Sequence, residues 1–376
     1  MKVLISCGGT GGHINPGLAI ADIIKSKYPD TEFLFAGTPK GMESRLVPQA
    51  GYRIETIKVA GFQRKISLEN VGRNIKAVAY LASSGKRAKE IISHFKPDIA
   101  IGTGGYAAGP VIRKAARMGI PTAIHEQNAY PGVTNKLLSK EVDYVMLTVK
   151  EALDFMDESK FEYSVTGLPV RSNINHISKA EARKKLGFND DFTILSFGGS
   201  LGAGCINDTM TAAIRWHYGK KLKINHIHGY GGMGKDTFPQ AMESAGIPLK
   251  SDRLRITEYI NDMDVCLAAA DLVICRSGAS TLAELEAAGK ASILIPSPIV
   301  AGNHQYHNAM VLGKAGAAEV IEQKDVTPEK IIAEIEKLYK NPDKVEVMSQ
   351  SAANLHLNDT NERILAVIDK LVAKAK

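Results

Sequence analysis

Val3-Leu4-Ile5-Ser6-Cys7-Gly8-Gly9-Thr10-Gly11-Gly12-His13 opens the chain with an apolar run, a glycine-rich turn and the mouth of a helix. The same grammar returns three times. Ile99–Ile101 precedes Gly102-Thr103-Gly104-Gly105-Tyr106, Thr193–Phe197 precedes Gly198-Gly199-Ser200-Leu201-Gly202-Ala203, and Leu272–Cys275 precedes Ser277-Gly278-Ala279-Ser280-Thr281. A strand–glycine loop–helix unit aims main-chain N–H groups and a positive helix end at whatever lies above the sheet edge. One such loop is weakly specific. Four, two in each half, predict two similar α/β domains whose loops face one cleft holding an anionic ligand.

Outward from these loops the chain alternates strand and helix. Strands are expected at Lys2–Ser6, Glu32–Ala36, Arg53–Val59, Asp98–Ile101, Thr122–His125, Asp143–Leu147 and Tyr163–Thr166, with helices at Gly17–Lys27, Val71–Phe95 and Gly109–Met118 between them. Such alternation predicts a parallel sheet covered on both faces. Gly167-Leu168-Pro169-Val170-Arg171 interrupts it as a linker and hinge, dividing a first domain over 1–166 from a second over 171–357. Ser178 and Glu181 form a capping box at the start of the second half, and Thr327-Pro328-Glu329 starts another helix there. A last helix over about 358–376 ends in a basic tail.

A chain of 376 residues suits two domains, and 44% hydrophobic with 23% charged residues is ordinary for a soluble protein. The net charge of +7 favours an anionic partner. Nucleic acid is the weakest such partner, because there is no Arg-rich tail, zinc spacing or aromatic RNA-binding stretch. Cys7, Cys205, Cys266 and Cys275 make no CxxC pair and suit a reducing compartment. The N-terminus enters a strand directly, unlike a signal peptide, and no apolar run approaches the ~18 residues of a membrane span. Membrane contact is therefore expected to be peripheral. Leu68–Leu81, with Arg73, Lys76 and nearby Arg64 and Lys65, reads either as an amphipathic helix on its own sheet or as one dipping into an acidic membrane surface.

Two nucleotide motifs almost form. Gly102–Ala107 fits GxGxxA, but the first loop, where a dinucleotide fingerprint belongs, has Ile14 in place of the third glycine. Gly229–Lys235 spells GxxxxGK, but Asp236 replaces the Ser or Thr that would hold Mg²⁺, so a surface loop is expected. Asp262-Met263-Asp264 has a DxD metal pattern but sits where an N-cap pair belongs. His13, just before a helix expected to begin near Pro16, is a candidate general base. His125-Glu126-Gln127-Asn128 ends a strand, so these residues are not expected all to be buried. Asn128 is assigned to the cleft, and Glu126 is either catalytic or an acceptor of loop N–H groups. Arg171 can stack on or bond a base. Glu284, opening the helix after the fourth loop, is either a dipole cap or a ribose ligand. Asn303–Asn308 is polar enough for sugar contacts.

The ordered set Gly8–His13, Gly104–Tyr106, His125–Asn128, Gly-x-Pro-Val-Arg ending at Arg171, Gly198–Ala203 and Ser277–Glu284 resembles the MurG family of bacterial glycosyltransferases, from Met1 to about Ala318. The resemblance implies a GT-B fold of two Rossmann-like domains, the last helix crossing back onto the first. It implies inverting transfer of N-acetylglucosamine from UDP-N-acetylglucosamine to the 4-hydroxyl of undecaprenyl-diphospho-N-acetylmuramoyl-pentapeptide, a step of peptidoglycan synthesis and hence of cell shape and division. Arg171 and the backbone near Ile260 would hold uracil, Glu284 the ribose, and Ser200 with Ala279, Ser280, Thr281, Leu282 and Ala283 the diphosphate. Gln305 and Asn128 would touch the sugar. Thr10, Gly11 and Gly12 are grouped with the donor contacts, and their loop, with Gly104, Gly105 and Tyr106, would receive the acceptor diphosphate. No cofactor and no metal are implied, and the site of action would be the cytoplasmic face of the cell membrane, on its anionic inner surface. Ala107-Ala108, Gly204-Cys205 and Asp264–Leu267 depart from the family pattern without removing an assigned polar group. A same-fold glycolipid transferase, a UDP-N-acetylglucosamine epimerase and a non-catalytic nucleotide-sugar sensor are the alternatives.

Overall fold

Lys2–Ser6 has no polar face, since Val3 to Ser6 are all buried, as a parallel strand covered on both sides must be. The computed structural model describes residues 1–59, 83–170, 174, 176–199 and 201–375. They divide into two compact units, Met1–Pro169 with Asp359–Lys376, and Val170–Asn358. The Leu68–Leu81 stretch, Arg64, Lys65, Arg171 and Ser200 lie outside the described residues.

The first unit runs β1 (Lys2–Ser6), α1 (Gly11–Lys27), β2 (Glu32–Gly37), α2 (Glu43–Gln49), β3 (Arg53–Thr56), α3 (83–95), β4 (Ile99–Gly102), α4 (Ala108–Arg117), β5 (Thr122–Glu126), α5 (Val133–Leu138), β6 (Tyr144–Leu147) and β7 (Glu162–Val165). Its strands form one parallel sheet in the order β3-β2-β1-β4-β5-β6-β7. The second runs α6 (Lys179–Leu186), β8 (Phe192–Phe197), α7 (Gly204–Gly219), β9 (Ile224–Gly229), α8 (Phe238–Glu243), β10 (Leu254–Thr257), α9 (Met263–Ala269), β11 (Leu272–Cys275), α10 (Ala279–Ala287), β12 (Ala291–Leu294), α11 (His304–Lys314), β13 (Ala318–Val320), α12 (Pro328–Tyr339) and α13 (Pro342–Leu355). Its sheet order is β10-β9-β8-β11-β12-β13, again parallel. In both sheets the order reverses beside the first strand of the unit, the switch point where open α/β sheets take ligands.

The final helix, α14 (Thr360–Ala375), belongs to the first unit. Ile364, Val367, Ile368 and Leu371 enter the core formed by α1, β1 and β4, each contributing about 1.5–3 kcal/mol when fully buried. Lys27 and Tyr28 both donate to Asp369 at 2.6 Å, and Arg363 reaches the Val165 carbonyl at 3.1 Å.

Two expectations about elements need correction. β3 stops at Thr56 rather than Val59, where its register with β2 ends at Gly37. α1 begins at Gly11, not near Pro16, so Pro16 stands inside the helix and His13 in its first turn. The Thr10 carbonyl winds that turn, accepting from the N–H groups of His13 and Ile14 at 3.0 and 3.2 Å.

Candidate functional site

In the first unit one side chain holds the first glycine loop. Glu43 at the start of α2 is fully buried. It accepts hydrogen bonds from the Gly9 N–H at 3.1 Å and from the Thr38 N–H and hydroxyl at 2.7 and 2.6 Å. Burial alone would raise its carboxyl, but the bonds from Thr38 and Gly9 outweigh this and hold it below the usual carboxylate range. A Cβ on Gly8, Gly37 or Gly41 would lie 2.7, 2.4 and 2.2 Å from Glu43 atoms. Those glycines are therefore the space Glu43 occupies. Nothing in the sequence singles Glu43 out, because only the folded chain brings the three glycines to one carboxylate.

The second loop locks onto the first. Gly105 has φ +84°, and a Cβ there would sit 2.1 Å from the Gly8 carbonyl oxygen. Thr103 donates to the His13 carbonyl at 2.7 Å. Gly104, with φ +102°, lies against the His13 ring, 2.6 Å from Nδ1 to a notional Cβ. Tyr106 stands exposed beyond them. Thr10 is the N-cap of α1, yet its side chain makes no cap bond and the first turn has no acidic residue. The helix start, with exposed Gly12, thus keeps its N–H groups for an anion.

A chain of bonds fixes the proton of His13. The His125 Nε2 lies 3.0 Å from the Gly167 carbonyl, which can only accept, so His125 Nδ1 is the acceptor of its ring. Gln127 Nε2 donates to that Nδ1 at 3.1 Å and to the His125 carbonyl at 2.9 Å. Gln127 Oε1 therefore faces His13 Nδ1, 3.1 Å away, and accepts its proton. Neutral His13 is left with its Nε2 lone pair for a substrate. Burial pushes His125 down to about 4, so its ring stays uncharged near neutrality.

Glu126 is held by its neighbours. It is buried and accepts from the Asn128 N–H and side-chain amide at 2.9 and 3.1 Å, the Gly132 N–H at 3.0 Å and Asn135 at 2.8 Å. These four donors occupy its carboxylate, which thereby shapes the 128–132 turn as an acceptor of loop N–H groups. His125, Glu126 and Gln127 are buried, because they satisfy one another and the turn, and of the four only Asn128 stays partly open. Asn128 is half-buried at the same turn.

In the second unit the loops interlock in the same way. Gly202 and Gly231 pack so closely that a Cβ on Gly202 would be 2.2 Å from the Tyr230 carbonyl oxygen, and one on Gly231 would be 2.2 Å from the Gly202 nitrogen. The expected surface loop after β9 thus braces the Gly198–Ala203 turn. α7 and α10 begin with Ala203 and Gly278 as N-caps, without side-chain cap bonds or acidic residues in their first turns. By contrast α6, α12 and α13 are capped by Ser178, Thr327 and Asn341 and carry Glu181, Glu329 and Asp343. Ala279, Ser280, Thr281, Leu282 and Ala283 form the first turns of α10. Glu284 does not open that helix but lies in its second turn, half-buried and close enough to Cys275 to raise its thiol after burial has done so.

Gln305 lies in the first turn of α11, its Oε1 accepting from the Ser297 N–H at 2.9 Å. The side chain of Ile260 is buried, and its main-chain N–H and carbonyl have no partner among the described residues. Asp262 occupies an N-cap position but does not cap. Its carboxylate takes both terminal nitrogens of Arg255, at 2.8 and 2.7 Å. Among the described residues no His, Cys, Asp and Glu group suits a metal ion, and no helix is long and apolar enough to cross a membrane.

The glycosyltransferase family 28 N-terminal domain matches residues 3–147 and the family 28 C-terminal domain residues 193–364. A protein of Acetivibrio thermocellus is 46% identical over 374 residues, spanning 99% of this chain and 98% of its own. One of Thermoanaerobacter pseudethanolicus is 44% identical over 372 residues, spanning 99% and 100%. Both bear the name UDP-N-acetylglucosamine–N-acetylmuramyl-(pentapeptide) pyrophosphoryl-undecaprenol N-acetylglucosamine transferase. The crystal structure of Acinetobacter baumannii MurG aligns with TM-score 0.79 and 28% identity over 98% of this chain and 99% of that one. A putative UDP-N-acetylglucosamine 2-epimerase of Listeria monocytogenes, 15% identical with TM-score 0.67 over 98% and 96%, shares the fold alone.

Proposed function

Because this chain belongs to glycosyltransferase family 28, with two Rossmann-like domains of the GT-B fold, we propose that it transfers N-acetylglucosamine from UDP-N-acetylglucosamine to the undecaprenyl-diphosphate-linked muramyl-pentapeptide. The full-length likeness to transferases of that name carries the reading, and the four glycine loops supply its chemistry.

The acceptor's 4-hydroxyl attacks the anomeric carbon as UDP departs, with inversion. His13 Nε2, its tautomer set by Gln127, takes the hydroxyl proton. Negative charge grows on the departing diphosphate, and the uncapped starts of α7 and α10 offer N–H donors and positive helix ends to it. Each helix end is worth ~0.3–1 kcal/mol in an exposed setting and more in a dry one. These donors need no cation. The α1 start and Gly104–Tyr106 receive the acceptor diphosphate, and the backbone of Ile260 meets uracil. Glu284 meets the ribose, and Gln305 and Asn128 meet the sugar. The enzyme works at the cytoplasmic face of the membrane, held on its anionic surface without spanning it.

Label transfer from radioactive UDP-N-acetylglucosamine to a short-chain lipid-diphosphate-muramyl-peptide, with EDTA present, tests donor, acceptor and metal independence together. Saturable donor binding with no label on the lipid would leave the fold assignment and overturn the acceptor.

A further inference from the structure

Arg276 stands between β11 and the fourth glycine loop, half-buried, with no carboxylate partner among the described residues. Its NH1 donates to the carbonyls of Ile295 and Pro296 at 3.0 and 3.1 Å, and its NH2 to Gln323 Oε1 at 2.6 Å. A half-buried cation satisfied by neutral acceptors alone is costly, so what those acceptors gain is the question.

The Pro296 carbonyl and the Ser297 N–H belong to one peptide group. In a trans peptide they point in opposite directions. The Ser297 N–H is the donor that holds Gln305 Oε1 at 2.9 Å. Guanidinium, peptide and carboxamide therefore form one line of hydrogen bonds, each polarising the next. Ser277 fixes the other end, donating to the Gln305 carbonyl at 2.8 Å, while Asn308 donates to the Ser277 carbonyl at 3.3 Å.

A main-chain N–H can only donate, so the end of the Gln305 amide facing Ser297 must be its oxygen. The Gln305 NH2, which has no partner among the described residues, faces away from that bond. It can read only an acceptor oxygen, such as a sugar hydroxyl or acetamido carbonyl.

We propose that Arg276 is a positioning residue that orients the Gln305 carboxamide through the Pro296–Ser297 peptide, so that its NH2 reads an acceptor oxygen on the transferred sugar. This rests on the assignment of Gln305 to the N-acetylglucosamine. Lysine in place of Arg276 keeps the charge but lacks the fork that spans two carbonyls and Gln323 at once.

Titration calorimetry with UDP-N-acetylglucosamine and with UDP, on wild type, Arg276→Lys, Gln305→Ala and the double variant, separates the possibilities. Arg276→Lys weakens UDP-N-acetylglucosamine about tenfold and leaves UDP within about twofold, because only the sugar contact is disturbed. The double variant is no weaker than Gln305→Ala, because both act through one contact. Equal weakening of both ligands, no weakening of either, or additive losses would overturn the positioning role. Should Arg276→Lys fail to fold, Gln323→Ala removes only the third bond and must lower the sugar-nucleotide affinity relative to UDP. An unchanged ratio there refutes the proposal. If Gln305→Ala itself leaves both affinities untouched, the sugar assignment has failed and the role of Arg276 fails with it.

Discussion

Lowering the pH from 7 to 5 should loosen the second unit before the first. Ser196 Oγ on β8 lies 2.8 Å from His226 Nε2 and 2.8 Å from His228 Nδ1, and His217 Nε2 on α7 lies 3.0 Å from His226 Nδ1. All three rings are buried. Burial pushes His217 down to about 4, His228 to about 3 and His226 well below its ordinary value. An unfolded chain takes up these protons near pH 6.5, whereas the folded one refuses them until far lower. Stability is therefore complete above pH 6.5 and is lost as pH falls towards the folded values.

At pH 5 each such histidine costs about 2 kcal/mol, so His217 and His228 together cost about 4, with His226 adding in the same direction. That is a large share of the ~5–15 kcal/mol that holds a domain. The first unit has His125, also near 4, and loses about 2 kcal/mol from it over the same range. Asp262 and Glu319, held low by their bonds to Arg255 and Lys344, keep their charge through this window, so it reads histidines rather than carboxylates.

Trp216 is the chain's single tryptophan, and it packs against the core of the second unit beside His217. Its fluorescence during denaturant unfolding reports that unit alone. The midpoint should fall markedly between pH 7 and pH 5, and His217→Gln should recover about 2 kcal/mol of the difference. Equal Trp216 midpoints at the two pH values, or a His217→Gln chain with the full wild-type slope, would refute the reasoning.

Three further outcomes separate positioning from chemistry. His13→Ala should remove nearly all turnover with little change in melting, whereas Glu126→Ala, which orphans the 128–132 turn, should lower stability by about 1–3 kcal/mol per buried donor left unpaired; a thermally intact Glu126→Ala chain that is catalytically dead would restore Glu126 to the reaction. Gln127→Ala removes the oxygen that accepts the His13 Nδ1 proton and should lower kcat by about tenfold or more with little change in KM; an unchanged kcat would mean that this bond does not orient the ring for chemistry. Gly105→Ala drives a Cβ to 2.1 Å from the Gly8 oxygen at positive φ and should cost about 1–3 kcal/mol in the first unit by chemical unfolding, so an unchanged midpoint would show that the two loops part freely.

What could be read in the sequence was what is local. Buried parallel strands are short apolar runs leading into glycine loops, so β1, β4, β8 and β11 were visible without any knowledge of their neighbours. The Ser178–Glu181 capping box was equally plain, because both partners lie within one turn. The start of α1 was not visible. Pro16 is the usual mark of a first turn, and local propensity prefers it over Gly-Gly-His. Only the loop packing, with Gly104 and Thr103 closed on His13, explains a helix wound five residues earlier. The same distinction separates the candidate residues. His13 and Gln305 could be named by type and place, but the direction of each depends on partners far along the chain, Gln127 for one and Ser297 with Arg276 for the other. Glu126 stayed open between two readings for the converse reason. A carboxylate at a strand end signals chemistry until the turn that consumes its lone pairs is folded around it. Composition and spacing thus locate the polar groups of such a site, while the hydrogen bonds that orient them divide reacting groups from supporting ones, and these arise only when distant loops close.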